Sequence, residues 1–341
     1  MLNKFQLLTI NRKISSAKRI LIVSHSNPDG DAVGASLALY HFFKEQQYIV
    51  HIILPNDFPS FYTWMPGSEK IIIYENNKLG AEEIVNSANV IFCLDFNALS
   101  RIGKLGSIIK TSSAFRIMID HHPYPEDEFD IIFSQINTSS TSELVYDFIF
   151  QLEKDELINK EIAECIYTGI MTDTGSFSYS CNYEKTYRLI AQLFRLGING
   201  EKIHQLVYDT YSEDRMRLLG FCLKERLVVN KELGTAYIYL SKDDLAKYDY
   251  QVGDTEGVVN YALAISGINF AVLFTEKENI VRLSLRSKGN FKVNEFANKH
   301  FKGGGHANAA GADSELSFSE TLQYFESLLP AYKQQLTCVC E

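Results

Sequence analysis

The sequence predicts an α/β protein of two lobes: an N-terminal parallel-sheet domain, a helical connector and a smaller α/β domain. Three observations predict it. The chain, at 341 residues, is long for a single domain. In its first half, short β-branched apolar runs alternate with helical patterns, as in a parallel sheet. Beyond about residue 226 the pattern changes to strands paired around turns.

Taken in order, residues 3–17 read as an amphipathic helix and 20–23 as a buried strand. A tight loop containing Asn27, Pro28 and Gly30 follows, then a helical pattern over 35–43. Further strands are expected at 49–54, 69–74, 90–94 and 115–119, with a helix at 81–88. The helix ending at Phe150 takes Thr141 or Ser142 as its cap, and another helix covers 161–171. Residues 184–226 read as three helices broken at 197–200. In the second lobe, 227–240 form a hairpin, 257–265 a helix, 268–274 and 281–286 a strand pair, and 293–299 a helix. That helix leads into Gly303-Gly304-Gly305-His306, and a last helix spans 318–335.

The net charge of −9 argues against coating long nucleic acid by bulk charge. It suits a small anionic substrate held by a metal and a few cations. No apolar stretch approaches a membrane span, and no signal pattern opens the chain. The six cysteines form no disulfide frame, and Cys338-x-Cys340 reads as a loose tail, so a reducing cytoplasm is expected.

Chemistry gathers at the strand ends. His25, Asp29 and Asp31 follow the first strand, Asp95 follows 90–94, and Asp120, His121 and His122 follow 115–119. Imidazole with carboxylates suits a hard or borderline divalent ion. Taken alone, the first loop reads equally as solvated acids at a helix N-terminus, and Asp173 as a cap. Three strands each delivering acid or imidazole at the carboxyl end favour one shared site.

These stretches, with Thr172-Asp173-Thr174-Gly175, Arg286-Ser287 and the run from Gly303 to Gly311, make the chain resemble the DHH/DHHA1 phosphoesterases over nearly its whole length. The similarity is greatest to the branch of oligoribonucleases (nano-RNases) and 3′-phosphoadenosine 5′-phosphate phosphatases. The resemblance implies a DHH domain over 1–185, a connector over 186–226 and a DHHA1 domain over 227–341, with the active site in the interdomain cleft.

It also implies two Mn²⁺ ions, with Mg²⁺ or Co²⁺ as substitutes. One would be held by His25, Asp29 and Asp95, the other by Asp31, Asp95, His121 and Asp173, with Asp95 bridging. Two such ions about 3.5–4 Å apart activate water and neutralise charge on a phosphoester. Asp95 and His122 are the expected catalytic residues. His122 serves the phosphate or supports a ligand, with direct ligation the alternative, and Asp120 orients a ligating His.

Arg286, Gly303, Gly304, Gly305 and His306 are the expected substrate contacts, the glycines as a phosphate cradle at the start of a helix. A flexible turn is the plainer reading of the glycines, and a turn or helix start that of Asn27 and Asn308. Ser142 and Glu143 are expected to support the ligands. Lys288, Lys292 and Lys302 read either as local positive charge or as a solvated face.

The function implied is cleavage of short oligoribonucleotides to mononucleotides, removal of the 3′-phosphate of phosphoadenosine phosphate, or both. Alternatives are a cyclic- or linear-dinucleotide phosphodiesterase, a pyrophosphatase or exopolyphosphatase, a processive DNA exonuclease, and a catalytically silent nucleotide-binding regulator. Expected partners are short RNAs or small phosphorylated nucleotides, with no membrane; a homodimer is compatible with the resemblance.

Overall fold

A computed structural model describes residues 1–337. The chain divides into two compact units, Met1–Thr210 and Tyr211–Glu341. Cys338 and Cys340 lie outside the described residues; the other four cysteines are free and buried.

The first unit runs α1 (Lys4–Ser16), β1 (Arg19–Ser24), α2 (Gly30–Glu45), β2 (Ile49–Leu54), β3 (Ile71–Ile73), α3 (Lys78–Ser87) and β4 (Val90–Leu94). It continues with α4 (Gly103–Thr111), β5 (Phe115–Asp120), β6 (Ile131–Ser134), α5 (Thr141–Gln151), α6 (Lys160–Asp173), α7 (Glu184–Arg195) and α8 (Gly200–Tyr208). The six strands form one parallel sheet in the order β3-β2-β1-β4-β5-β6. Helices cover both faces, which is why the inner strands are continuous apolar runs. Ile20, Ile22, Phe92 and Leu94 pack beneath α2, α5 and α6, while Leu21, Val23, Ile91 and Cys93 pack against α3 and α4.

Strand order reverses between β1 and β4, opening a crevice at their carboxyl ends. Ser24 and Leu94 are the last paired residues there, and the Ser24 hydroxyl donates to the Leu94 carbonyl at 2.8 Å. The next residue on each strand, His25 and Asp95, therefore emerges side by side.

Helices α2 and α6 touch through glycine. A Cβ on Gly34 would lie 2.6 Å from the Cys165 carbonyl oxygen, and one on Gly169 would lie 1.9 Å from Ser142 Oγ. The missing side chains let α2, α5 and α6 converge, bringing Asp31 at the start of α2 towards Asp173 at the end of α6. The cap of α5 is Ser140, one residue before the expected pair, and its hydroxyl accepts from Glu143 N–H at 3.1 Å.

The second unit comprises α9 (Glu213–Glu225), β7 (Leu227–Asn230), β8 (Thr235–Leu240), α10 (Lys242–Lys247), α11 (Val258–Leu263), β9 (Phe270–Glu276) and β10 (Val281–Ser287). It ends with α12 (Val293–His300), β11 (Lys302–His306), β12 (Ala309–Ser314) and α13 (Phe318–Thr337). Its mixed sheet runs β11-β12-β10-β9-β8-β7, with only the β8–β9 pair parallel. Phe270, Phe274 and Phe325 centre the core on one face, and Ile238, Leu240 and Val259 belong to that on the other. In chain order, α7 and α8 fall in the first unit and α9 in the second.

The glycine run departs from expectation. Gly303, Gly304 and Gly305 do not open a helix; they form edge strand β11, antiparallel to β12. Alternation of small residues, Gly303 opposite Ala312 and Gly305 opposite Ala310, lets the two strands pair where a helix start was expected. Asn308 is likewise not a helix start. It sits in the β11–β12 turn, where its amide donates to Ser287 Oγ at 2.9 Å and to the Gly289 carbonyl at 3.0 Å.

Candidate metal centre

Asp95 stands at the middle of the site. Its φ of 63° turns the chain sharply off β4, a left-handed conformation that Asp tolerates better than most residues. Its N–H donates to the Ile119 carbonyl at 3.1 Å, tying this turn to β5. Asp95 Oδ2 lies 3.2 Å from His25 Nε2, while Oδ1 lies 3.5 Å from His121 Nε2 and 3.7 Å from His122 Nδ1. The two oxygens thus face different imidazoles.

The first group of possible ligand atoms comes from His25, Asp29 and Asp95, the second from Asp31, His121 and Asp173; within each, the atoms lie within 4.8 Å of one another. His25 Nε2 is 3.9 Å from Asp29 Oδ1, and His121 Nε2 is 3.5 Å from Asp173 Oδ2. Asp29 also caps α2, accepting from the N–H groups of Asp31 and Ala32. All six residues expected to bind metal are therefore brought to the crevice, spread over the two groups.

His122 joins a third group, with Asp95 and Asp120. Its Nδ1 lies 2.7 Å from Asp120 Oδ1. Burial pushes the His122 imidazole well below its usual range, and burial with the Asp95 charge pushes the Asp120 carboxyl up to about 7. Asp120 Oδ2 has no hydrogen-bond partner among the described residues.

At the N-terminus of α5, where Ser142 and Glu143 are expected to support ligands and Thr141 reads only as a possible cap, Thr141 takes part as well. Thr141 N–H donates to Asp31 Oδ2 at 2.7 Å and Ser142 N–H to Asp31 Oδ1 at 2.8 Å. Thr141 Oγ1 also donates to Asp95 Oδ1 at 2.9 Å. Buried Glu143 accepts from the hydroxyls of Ser139 and Thr186, which fixes this end of the helix. The only signal in the sequence is the hydroxyl-rich run Ser139-Ser140-Thr141-Ser142, which resembles ordinary capping. Asn27, at φ 55°, is a turn residue whose N–H donates to Asn56 Oδ1 at 2.7 Å.

The donor set fits a divalent cation. Burial raises the Asp31 carboxyl, and the charges of Asp95 and Asp29 raise it further, a repulsion that a bound cation relieves. Burial alone would also raise Asp95, but the His25 hydrogen bond and the charges of His25, His122 and His121 hold it below the usual carboxylate range. Imidazole and carboxylate without thiolate suit Mn²⁺ or a similar ion.

In the second unit, Arg286 pairs with Ala309 and Ala309 with His306. Arg286 and His306 thus occupy one level of the sheet, separated by a strand that presents only a methyl group there. Lys302 pairs with Glu315 at 2.6 Å and Lys292 with Glu295 at 3.0 Å. Lys288 is exposed.

The DHH family N-terminal domain matches residues 19–170, and the DHHA1 domain matches 232–336. The chain is a DHH/DHHA1 phosphoesterase. Among its relatives is the bifunctional oligoribonuclease and PAP phosphatase NrnA of Bacillus subtilis, 29% identical over 88% of this chain and 91% of the relative. The protein of the same name from Thermus thermophilus is 28% identical over 93% of this chain and 90% of its own length. A crystal structure of an exopolyphosphatase-related protein from Bacteroides fragilis is 44% identical, covering 98% of this chain and 99% of that one, with a TM-score of 0.91. This DHH/DHHA1 phosphoesterase is a metal-dependent enzyme with a divalent-metal site typical of the family.

Proposed function

We propose that this enzyme cleaves short oligoribonucleotides to mononucleotides and removes the 3′-phosphate of phosphoadenosine phosphate, working in the cytoplasm with two Mn²⁺ ions. The observation that carries the reading is Asp95, whose two carboxylate oxygens face separate groups of imidazole and carboxylate donors at the switch point of the sheet. The names of the Bacillus and Thermus relatives support the substrate class.

His25, Asp29 and Asp95 would hold one ion, and Asp31, Asp95, His121 and Asp173 the other. When bound, the pair lowers the pKa of water and neutralises charge on a phosphoester. The chain's own residues do the rest. The α5 amides hold Asp31 in one orientation, and Thr141 holds Asp95. Asp120 fixes the His122 ring through Nδ1, so that His122 serves the phosphate oxygens. Arg286 and His306 grip the nucleotide. Gly303, Gly304 and Gly305 contribute strand backbone at a sheet edge, a different cradle from a helix N-terminus.

A second reading, hydrolysis of polyphosphate or pyrophosphate, is favoured by the 44% identity to the exopolyphosphatase-related protein of Bacteroides fragilis. One panel separates the two. It holds an RNA dinucleotide and pentamer, phosphoadenosine phosphate, a cyclic dinucleotide, pyrophosphate, polyphosphate and long single-stranded DNA, each with Mn²⁺. Preference for the short RNAs and phosphoadenosine phosphate is expected; preference for inorganic polyphosphates overturns the main reading.

A further inference from the structure

Arg101 is a cation that neither the metal groups nor the fold uses. It lies in a 3₁₀ turn, Leu99–Ile102, just beyond Asp95 on the chain. The turn is closed by Gly103 at φ 56° and ψ −130°, a conformation that side chains rarely adopt, so the position of Arg101 is built into the backbone. Its carbonyl accepts from Ser26 N–H at 3.3 Å, which ties the turn to the loop carrying His25. Arg101 is therefore stitched across the β1–β4 crevice.

Its charge acts on His25, His122 and Asp120, residues that leave two different strands. The side chain is half-buried, yet among the described residues its guanidinium makes no hydrogen bond or ion pair. A permanent positive charge beside a cation site works against metal binding by simple repulsion. What it favours there is an anion, and a guanidinium fork matches phosphate oxygens two at a time.

We propose that Arg101 is a substrate-binding residue of the first unit, gripping non-bridging oxygens of the phosphate that is cleaved. This rests on the reading of the site as a phosphoester hydrolase, and it gives that site a phosphate contact on the same unit as the metal groups. In the sequence, Arg101 stands only as one arginine in an ordinary loop.

The test uses the full chain and the variants R101Q and R101K. Inorganic phosphate is titrated into Mn²⁺-loaded protein by calorimetry, Mn²⁺ uptake is measured separately, and KM and kcat are taken on the best substrate of the panel. R101Q is expected to weaken phosphate by roughly 10- to 100-fold, the range for hydrogen bonds to a charged group, and to raise KM more than it lowers kcat. Its Mn²⁺ uptake should be unchanged or tighter, because a like charge has gone. R101K, which keeps the charge and loses the fork, should fall between.

Unchanged phosphate affinity in R101Q overturns the proposal, as does a wild-type protein that binds no phosphate. Loss of Mn²⁺ uptake would make Arg101 a structural residue, which also overturns it. Should R101Q fold poorly, R101K decides: unchanged phosphate affinity there has the same consequence. The phosphate titration needs no turnover, so a failure of the hydrolase reading shows in the panel and a failure of the Arg101 assignment shows in the binding.

Discussion

The hydroxyl of Thr141 donates to Asp95 Oδ1 at 2.9 Å while its backbone N–H donates to Asp31 Oδ2 at 2.7 Å. One residue thus holds a carboxylate from each of two chain segments, the β4 end and the α2 start. Groups that orient ligands are typically worth about 10- to 100-fold in metal affinity or activity. Thr141→Val keeps the shape and removes the hydroxyl, so Mn²⁺ affinity should fall within that range while Thr141→Ser restores most of it. Equal Mn²⁺ binding by all three proteins would show that the contact positions nothing.

Asp95 is the proposed bridge. Asp95→Asn preserves the left-handed turn at φ 63°, which Asn also tolerates, and removes the charge. Turnover should disappear, and bound metal, counted by elemental analysis, should fall from two ions per chain to at most one. Normal activity in this variant would sink the two-metal assignment.

In metal-free protein, burial lowers the His25 pKa, but the Asp95 hydrogen bond and the charges of Asp29 and Asp95 outweigh it and push the imidazole from 6.5 up to about 9. The folded state then binds the proton more tightly than the unfolded state. The resulting stability is fully present below pH 6.5 and is lost as pH rises through 9. Asp120, raised from 3.8 to about 7, adds a loss of the same sign between those two values. Asp95, held low, acts oppositely and only below about pH 4, near the ordinary carboxylate value. The Tm of EDTA-treated protein should therefore fall from pH 6.5 to 9, while Mn²⁺ affinity rises as its competing proton leaves. A Tm that does not change over this window would show that His25 and Asp95 are not paired in solution.

His306 belongs to the second unit and is proposed to contact substrate. His306→Ala should raise KM by about 10-fold or more, as expected for one lost hydrogen bond to a charged group, with two Mn²⁺ ions still bound. Metal depletion in this variant would move His306 from substrate to metal.

The parallel sheet of the first unit was legible because its inner strands are buried on both faces and so appear as unbroken apolar runs. The candidate ligands His25, Asp95 and His121 stand out because they follow those runs closely, whereas Asp31 lies in α2 and Asp173 ends α6. Strand β6 was not: Ile131–Ser134 is four residues long with alternating burial, too short to carry a period. Helix α4 carries Gly103 and Gly106, residues that weaken any helical reading. The glycine run of β11 looks like a loop because its strand character resides in its partner, β12, and in no side chain of its own. Thr141 reads only as a candidate cap because a hydroxyl at the start of a helix already has a sufficient explanation. Only the folded packing of α2 and α5 beside the end of β4 shows that Asp31 and Asp95 stand in front of it.

The proposed metal donors come from the ends of β1, β4 and β5, from the start of α2 and from the end of α6, and they span residues 25–173. No short peptide of this chain contains the set, so the site comes into being only when the whole unit has closed. A cation bound there acts as a tie across segments far apart in sequence, and it binds the native state while having almost no target in the unfolded one. At a free metal concentration 100 times Kd, such binding adds about 2.7 kcal/mol to stability. Metal supply would thereby set how long the protein survives as well as how fast it works, so that a cell short of the ion would lose the enzyme through unfolding and proteolysis along with its activity.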